Sequence, residues 1–418
     1  MATVEPAVHP VFLNQAETLC QGGELLPGGP QVLAKRLQQA VETDTPLRVK
    51  LGLDPTRPDL HLGHTVVLRK LRAFQDLGHQ AVLIIGDATA LIGDPSGRSA
   101  TRPPLTQEEI AVNAATYLAQ AGKVIDVPKA EIVHNSEWLA PLNMADLLRL
   151  TAKVTVAQML VRDDFATRYQ AQKPIYLHEL LYPLMQAYDS VMVNADIELG
   201  GTDQRFNNLM GRELQTAYES GNPQMVLLMP LLEGTDGKIK MSKSYPEHCI
   251  NLTDAPEDML GKLMSIPDEL IGRYQQLLTP ATEAQIAQLE AAMFDTHTMN
   301  PRDAKMNLAK WLVALYNGQA AADAAEAAFV NRFKLNQLPE EMPEVLIAPD
   351  TAHPLVGLMV EHQLAPSRGE ARRLIQGGGV RLDGDNKVTD VEATLTLAAG
   401  EARVLQVGKR KFIRFVTA

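Results

Sequence analysis

Residues 48–85 read RVKLGLDPTRPDLHLGHTVVLRKLRAFQDLGHQAVLII, and the period of the apolar residues changes twice along them. Val49, Leu51 and Leu53 alternate, the two-residue period of a strand. Asp54-Pro55-Thr56 and Pro58 interrupt it as a turn. From His61 to Leu77 the spacing is helical, and Gly78 stands where a left-handed residue closes a helix. Ala81 to Ile85 is then a short unbroken apolar run, the pattern of a parallel strand buried on both faces. Strand, helix, strand in that order predicts a βαβ unit and, with it, an α/β fold built on a Rossmann-type doubly wound parallel sheet.

Working outward, the loop after the second strand is dense in turn residues: Gly86, Asp87, Gly93, Asp94, Pro95, Ser96 and Gly97. Helices are expected around 106–122, 144–160, 176–190 and 203–219, and a strand ending at Val133-His134-Asn135. The expected division is a helical lead-in over 1–45, broken around Pro27-Gly28-Gly29-Pro30, and a catalytic α/β domain over 46–245. An α-helical domain follows over 246–337, containing the helix formers of Ala284–Phe294 and Ala304–Tyr316. Pro339, Pro343 and Pro349, with Glu340, Glu341 and Glu344, mark a semi-rigid linker over 338–353. Residues 354–418 form a small α+β unit, helical first, with short strands around Gly384, Gly400 and Gly408. No internal repeat or low-complexity tract is evident.

The 418 residues are 45% hydrophobic and 21% charged, the composition of an ordinary globular protein, with a net charge of -11. That balance argues against broad nonspecific nucleic-acid affinity but not against a local basic face. Such a face is visible: residues 353–418 carry ten Lys and Arg against seven Asp and Glu, a net of +3, which leaves -14 for the rest. Cys20 and Cys249 offer neither a disulfide framework nor a cysteine metal motif, so a cytoplasmic setting is expected. No apolar run reaches the length of a membrane span, and the start of the chain, with Glu5, lacks the pattern of a signal peptide.

Three constellations carry chemistry. His61-Leu62-Gly63-His64 stands at a helix N-terminus, where unpaired N–H groups and the helix dipole favour phosphate. Gly63 admits a nucleotide close to the backbone, and two imidazoles three residues apart share a face. Lys240-Met241-Ser242-Lys243-Ser244, preceded by Gly234-Thr235-Asp236-Gly237, places two lysines on a glycine-hinged loop that could close over a polyphosphate. Each alone has a plainer reading, a capped helix or metal pair in the first case and a solvated basic turn in the second. Third, Tyr182, Gln186 and Asp189 share one helix face, where polar groups are costly unless a ligand or protein partner satisfies them.

HLGH and KMSKS flanking an α/β pattern resemble the paired signatures of class I aminoacyl-tRNA synthetases. The segment from Tyr182 to Asp189 is similar to the substrate helix of the bacterial tyrosyl-tRNA synthetases, in particular a subgroup with a complete KMSKS. That resemblance extends through Gly52, Asp54-Pro55-Thr56, Gly93 to Gly97 and Gly200-Gly201-Thr202-Asp203-Gln204. It implies that His61, His64, Lys240, Lys243 and Arg98 stabilise phosphate charge, with Arg102 on the same loop as Arg98. It implies an ATP site of Asp54, Thr56, His61, Gly63, His64, Gly201, Asp203, Lys240, Met241 and Lys243. It implies a tyrosine site of Thr89, Asp94, Asn135, Tyr182, Gln186, Asp189 and Gln204, with Trp138 in its wall. Where many members have a tyrosine that meets the substrate phenol, this chain has Lys50, expected here to face solvent or the pocket rim. The segment from Ser367 to Val380 resembles a small RNA-binding fold of a ribosomal protein, which implies tRNA contact through Arg368, Arg372 and Arg373.

The implied reaction activates L-tyrosine with ATP and transfers it to tRNA(Tyr), with Mg²⁺ arriving on the ATP phosphates, and the resemblance also implies a homodimer. Competing readings are a tryptophan-specific synthetase, another adenylate-forming enzyme, and an RNA-binding paralogue without catalysis. The polar face on 182–189 weighs against the first, the helical region and tail against the second, and the intact HLGH and KMSKS against the third.

Overall fold

The computed structural model describes residues 8–94, 106–242, 245–334, 342–383, 386–408 and 411–417, without the side chains of 332–334. The chain divides into two compact units, Met1–Ala322 and Asp323–Ala418.

The first unit is built on a six-stranded sheet of β1 (Glu24–Leu26), β2 (Arg48–Leu53), β3 (Gln80–Ile85), β4 (Glu131–His134), β5 (Ile197–Gly201) and β6 (Met225–Met229), in the order β1-β6-β5-β2-β3-β4. β2 to β6 are all parallel, and β1 closes one edge antiparallel to β6. Ala81 through Ile85 are fully buried, as a strand covered on both faces requires. The parallel strands run outward in both directions from β2, the doubly wound arrangement expected. β1 was not legible, because three residues are too few to show a period and its partner lies some two hundred residues on.

The helices of this unit begin with α1 (Pro10–Cys20), α2 (Pro30–Glu42), α3 (Leu62–Asp76), α4 (Asp87–Ile92), α5 (Gln107–Ala121) and α6 (Ser136–Leu139). α3 is capped at His61 and ends before Gly78, whose φ of 86° is the left-handed closure the sequence implied. Next come α7 (Met144–Thr151), α8 (Val156–Leu160) and α9 (Asp163–Gln170). The single helix expected over 144–160 is thus two, because Thr155 accepts a hydrogen bond from the Gln158 N–H and starts α8 afresh. α10 (Leu177–Met192) and α11 (Arg205–Ala217) pack together through Leu184, Ala187, Met210 and Leu214. The stretch from 246 is helical, with α12 (Pro256–Met264), α13 (Ile271–Leu278), α14 (Glu283–Glu290), α15 (Pro301–Asn317) and α16 (Gln319–Lys334). It belongs to the same compact unit as far as Ala322: the Tyr274 hydroxyl donates to the Glu233 carbonyl at 2.7 Å, and Lys123 donates to the Leu252 carbonyl at 2.8 Å.

The second unit holds β7 (Glu344–Leu346), β8 (His353–Pro354), α17 (Leu355–Glu361), α18 (Arg368–Gln376), β9 (Val380–Leu382), β10 (Asn386–Lys387), β11 (Thr394–Leu395), β12 (Ala402–Val407) and β13 (Lys411–Val416). Its five-stranded sheet runs β10-β9-β12-β13-β7, over a core that includes Leu355, Met359, Ile375, Leu405 and Phe415. Residues 344–346 were read as linker but form β7, parallel to β13; Ile347 enters the core, and Arg414 pairs with Glu344 at 2.8 Å. A three-residue strand between prolines, paired with residues far downstream, has no local signature. Pro339, Glu340, Glu341 and Gly384 lie outside the described residues.

A fragment of residues 342–418 is expected to melt in one cooperative transition, and a fragment starting at 354 at a lower temperature. At roughly 4–8 °C per kcal/mol for a domain this small, the lost strand and buried Ile347 give a measurable difference by circular dichroism. Equal midpoints would show that β7 contributes nothing.

Candidate active site

Between β2 and β5 the sheet pairs only Val49 with Ile197 and Lys50 with Glu198. Beyond those residues the two strands part, and a cavity of about 780 Å³ opens at their C-terminal ends. This is the topological switch point of a doubly wound sheet, where the crossovers leave toward opposite faces and no helix covers the gap.

One end of the cavity is built from α3 and the 232–242 loop. His61, Gly63 and His64 line it at the N-terminus of α3. The His61 N–H donates to His64 Nδ1 at 3.1 Å, and the two rings lie 3.8 Å apart, so both imidazoles are held beside the open helix end. A Cβ on Gly63 would stand 3.0 Å from the His61 ring, so any larger residue there would have to push that imidazole aside. The entry of α3 is clamped by Leu62, whose N–H donates to the Ile250 carbonyl at 2.9 Å. Opposite stand Gly201, Asp203, Lys240 and Met241. Lys240 Nζ meets Asp203 Oδ2 at 2.7 Å, a partly exposed ion pair in the cavity lining. Thr56 also lines the cavity. Arg98, Arg102 and Lys243 lie outside the described residues.

The other end is deeper and acidic. Asp54, Thr89, Asp94, Tyr182, Gln186, Asp189 and Gln204 line it. Asp54, assigned to the nucleotide by resemblance, is bonded to two members of the amino-acid set: Thr89 donates to Oδ1 at 2.8 Å and the Tyr182 hydroxyl to Oδ2 at 2.9 Å. A Cβ on Gly86 would fall 2.0 Å from Asp54 Oδ1, so only glycine there lets this carboxylate in. Asp189, on α10, is held from behind by Trp138 Nε1 at 2.9 Å and Asn135 Nδ2 at 3.3 Å. Asn135 is itself fixed by the Ala88 N–H, which donates to its Oδ1 at 3.0 Å. Asp94 accepts from Gln204 Nε2 at 2.8 Å.

A carboxyl taken out of water, or set beside like charges, holds its proton more tightly. Asp54 keeps some surface toward the cavity, but the surrounding protein desolvates it, and with Asp94 and Asp189 near by its carboxyl is pushed up to about 7 against the hydrogen bonds of Thr89 and Tyr182. Burial likewise pushes Asp189 up to about 6, opposed by the Lys50 charge and the Trp138 and Asn135 bonds. Burial and the Asp54 charge raise the Tyr182 phenol, which therefore stays a hydrogen-bond donor.

Two residues had no sequence signal as site residues. Arg162, buried between α8 and α9, reaches Asp94 at 3.4 Å, Asn207 Oδ1 at 3.1 Å and Asp164 at 2.8 Å. Glu198 on β5 lines the cavity floor. Asp94 and Asn207 lie far from Arg162 in sequence, and Lys50 far from Glu198, so nothing local marks either residue. Lys50 needs a correction: it faces neither solvent nor the rim but is fully buried, ion-paired to Glu198 at 3.0 Å. The cause is the position of β2 at the centre of the sheet, where even a lysine has protein on every side. Arg368, Arg372 and Arg373 project exposed from α18 in the second unit, opposite the buried Ala371 and Ile375. Among the described residues no group of three His, Cys, Asp or Glu is placed to hold a metal, and no helix is long and apolar enough to cross a membrane.

A Rossmann sheet with a helix N-terminus and a lysine loop facing one cavity defines the nucleotide-using class I synthetases, and residues 42–334 match the model of the class I tRNA synthetases for tryptophan and tyrosine. Residues 334–415 match the C-terminal domain model of tyrosine–tRNA ligases. The tyrosine–tRNA ligase of Thermotoga maritima is 54% identical over 88% of this chain and 90% of its own length. That of Bdellovibrio bacteriovorus is 49% identical over 92% and 94%. Among solved structures, the tyrosyl-tRNA synthetase of Archaeoglobus fulgidus complexed with L-tyrosine aligns with a TM-score of 0.58 at 23% identity, covering 75% of this chain and 99% of that one. The truncated mitochondrial enzyme of Aspergillus nidulans aligns at 0.60, with 22% identity over 77% and 94%. The chain belongs to the tyrosine–tRNA ligase family of class I synthetases.

Asp54 titrates near 7 in the folded protein and near 4 in an unfolded chain. Protonation therefore favours folding: this contribution is complete below about pH 4 and is lost as pH rises through about 7. Asp54→Asn, which never ionises, is expected to melt above the wild type at pH 8, with the gap closing toward pH 5. A constant difference in calorimetry across that range would contradict the assignment.

Proposed function

We propose that this tyrosine–tRNA ligase uses the deep end of the cavity for tyrosine and the α3 end for ATP. The observation that carries the reading is Asp189: a buried carboxylate facing a cavity, with both oxygens already anchored by Trp138 and Asn135. Such a group suits a neutral hydroxyl donor at the far end of an amino acid. Phenylalanine would expel water from the cavity side of this carboxylate and offer no donor to its remaining lone pairs, which is costly. The acidic surroundings of Asp94, with Tyr182 and Gln186, suit the ammonium, and Gln204 and Thr89 complete the tyrosine site with Asn135. Bound tyrosine thus directs its carboxylate toward the α3 end.

There ATP would lie with its ribose on Gly201 and Asp203 and its base near Met241. Its phosphates would rest on the N-terminus of α3, with Gly63, His61, His64, Thr56 and the edge of Asp54 around them. The Lys240–Asp203 pair supports an exchange: a polyphosphate draws Lys240 away, and Asp203 turns to the ribose. Lys243 and Arg98 would add charge on the pyrophosphate side. The tyrosine carboxylate attacks the α-phosphate, the bond to pyrophosphate breaks, and the histidines and lysines stabilise the charge moving onto the leaving group. The terminal 2′-hydroxyl of tRNA(Tyr) then attacks the adenylate carbonyl and releases AMP. Mg²⁺ would enter on the ATP phosphates, its preference for oxygen ligands met largely by phosphate and water.

The exposed arginines of α18, Arg368, Arg372 and Arg373, suit the tRNA backbone. Buried free thiols at Cys20 and Cys249 fit a reducing cytoplasm. A homodimer is supported by exposed apolar residues on one stretch: Met144, Leu148, Val161 and Leu177 are 62–82% accessible.

In ATP–pyrophosphate exchange with each of the twenty amino acids, only tyrosine should drive exchange. Asp189→Ala should lower kcat/KM for tyrosine by roughly 10–100-fold, the worth of a hydrogen bond to a buried charge. Arg368, Arg372 and Arg373 changed together to Glu should spare exchange and raise the KM for tRNA. Exchange driven by tryptophan, or an unaffected Asp189→Ala, would refute the pocket. Separately, Val161→Glu with Leu177→Glu should convert a dimer to monomer in sedimentation velocity; an unchanged coefficient would place the interface elsewhere.

A further inference from the structure

Lys50 is a charged side chain with no accessible surface, on the central strand, directly beneath the proposed tyrosine pocket. It does not line the cavity, although its cross-strand partner Glu198 does. Its ammonium has three N–H donors and three acceptors: the Gln186 carbonyl at 3.1 Å, Ser190 Oγ at 2.7 Å and Glu198 Oε1 at 3.0 Å. Two of these belong to α10 and the third to β5, so one buried group ties the helix to both strands at the place where they part. Ser190 in turn donates to Glu198 Oε2 at 3.1 Å, and Gln186 Nε2 reaches Glu198 Oε1 at 3.3 Å. The turn of α10 that Lys50 grips is the one that carries Gln186 and Asp189. A buried ion pair is weak evidence for stability, since desolvation cancels most of the attraction; a role in geometry explains it better.

Electrostatics points the same way. Asp189 is faced by Lys50 from β2, Glu198 from β5 and Asp54 from the end of β2, with Trp138 and Asn135 donating to it. Of these only Lys50 is a cation, and it is the largest influence opposing the burial that pushes the Asp189 carboxyl up to about 6.

We propose that Lys50 is a positioning residue for tyrosine specificity, which fixes the α10 turn bearing Gln186 and Asp189 to the sheet and balances the carboxylates of the pocket. This rests on the assignment of Asp189 to the phenol. Loss of the ammonium releases that turn and leaves Glu198 and Asp189 uncompensated, so Asp189 takes up a proton at higher pH and tyrosine capture fails sooner on acidification.

The test compares Lys50→Met, Asp189→Asn and the wild-type enzyme in pyrophosphate exchange across pH 5–9. Lys50→Met should raise the tyrosine KM about tenfold and shift the acid limb of kcat/KM for tyrosine up by about half to one pH unit, with the ATP KM within about twofold. Tyrosine preference over phenylalanine should fall in the same variant. An unchanged tyrosine KM and acid limb, or tyrosine and ATP KM rising together, overturns the proposal, the latter because a general loss of structure would do the same. If Asp189→Asn itself leaves tyrosine kinetics unaltered, the pocket assignment has failed rather than the role of Lys50. Should Lys50→Met not fold, Lys50→Met with Glu198→Gln removes both buried charges and is held to the same readouts, with a smaller shift in the same direction expected.

Discussion

The short pairing between β2 and β5 is the constraint on which the rest of the first unit depends. Two residue pairs join the strands, and then they diverge. Had the pairing continued, β2 and β5 would close over the space that now holds the cavity. Because it stops, the C-terminal ends of the parallel strands, the N-terminus of α3 and the face of α10 all open onto one volume. The described residues that line that volume reach it from these elements or from the segments that follow them.

Opening a crevice in the middle of a sheet exposes polar groups in surroundings of low dielectric, where an unpaired charge is costly. The structure answers with paired groups at every depth. Lys50 and Glu198 compensate each other in the floor, Arg162 stands beside Asp94 in the wall, and Lys240 meets Asp203 at the α3 end. The pairs differ in accessibility, and that difference separates their roles. The floor pair is sealed and suited to hold geometry. The Lys240–Asp203 pair is partly exposed, and a polyanion can separate it at modest cost. Among the described residues Asp54 and Asp189 have no cation in contact, and burial raises their carboxyls to about 7 and about 6. A bound ammonium or hydroxyl donor would favour their charged forms.

The legible part of the fold is the part with local periodicity. β2, α3 and β3 announce themselves within residues 48–85, and the polar face of α10 stands out because Tyr182, Gln186 and Asp189 break the pattern of an apolar stripe. Elements below that length were invisible: β1 and β7 are three residues each, and their partners are remote. The break between α7 and α8 was missed because apolar spacing runs across it, and only the Thr155 cap divides them.

What the sequence by itself determined is the fold class and the motifs that mark the family, because helix and strand periods and short spaced motifs are written within a few residues of one another. What only the tertiary structure decided is which groups meet. Asp54 joins Thr89 and Tyr182, Arg162 reaches Asp94, and Lys50 lies sealed under the pocket instead of at its rim. Those pairings join residues on different strands and helices, and their burial depends on what the whole sheet packs against. The charge of a lysine can be read from its letter; whether that charge faces water or a buried glutamate is settled only when β5 and α10 close around it.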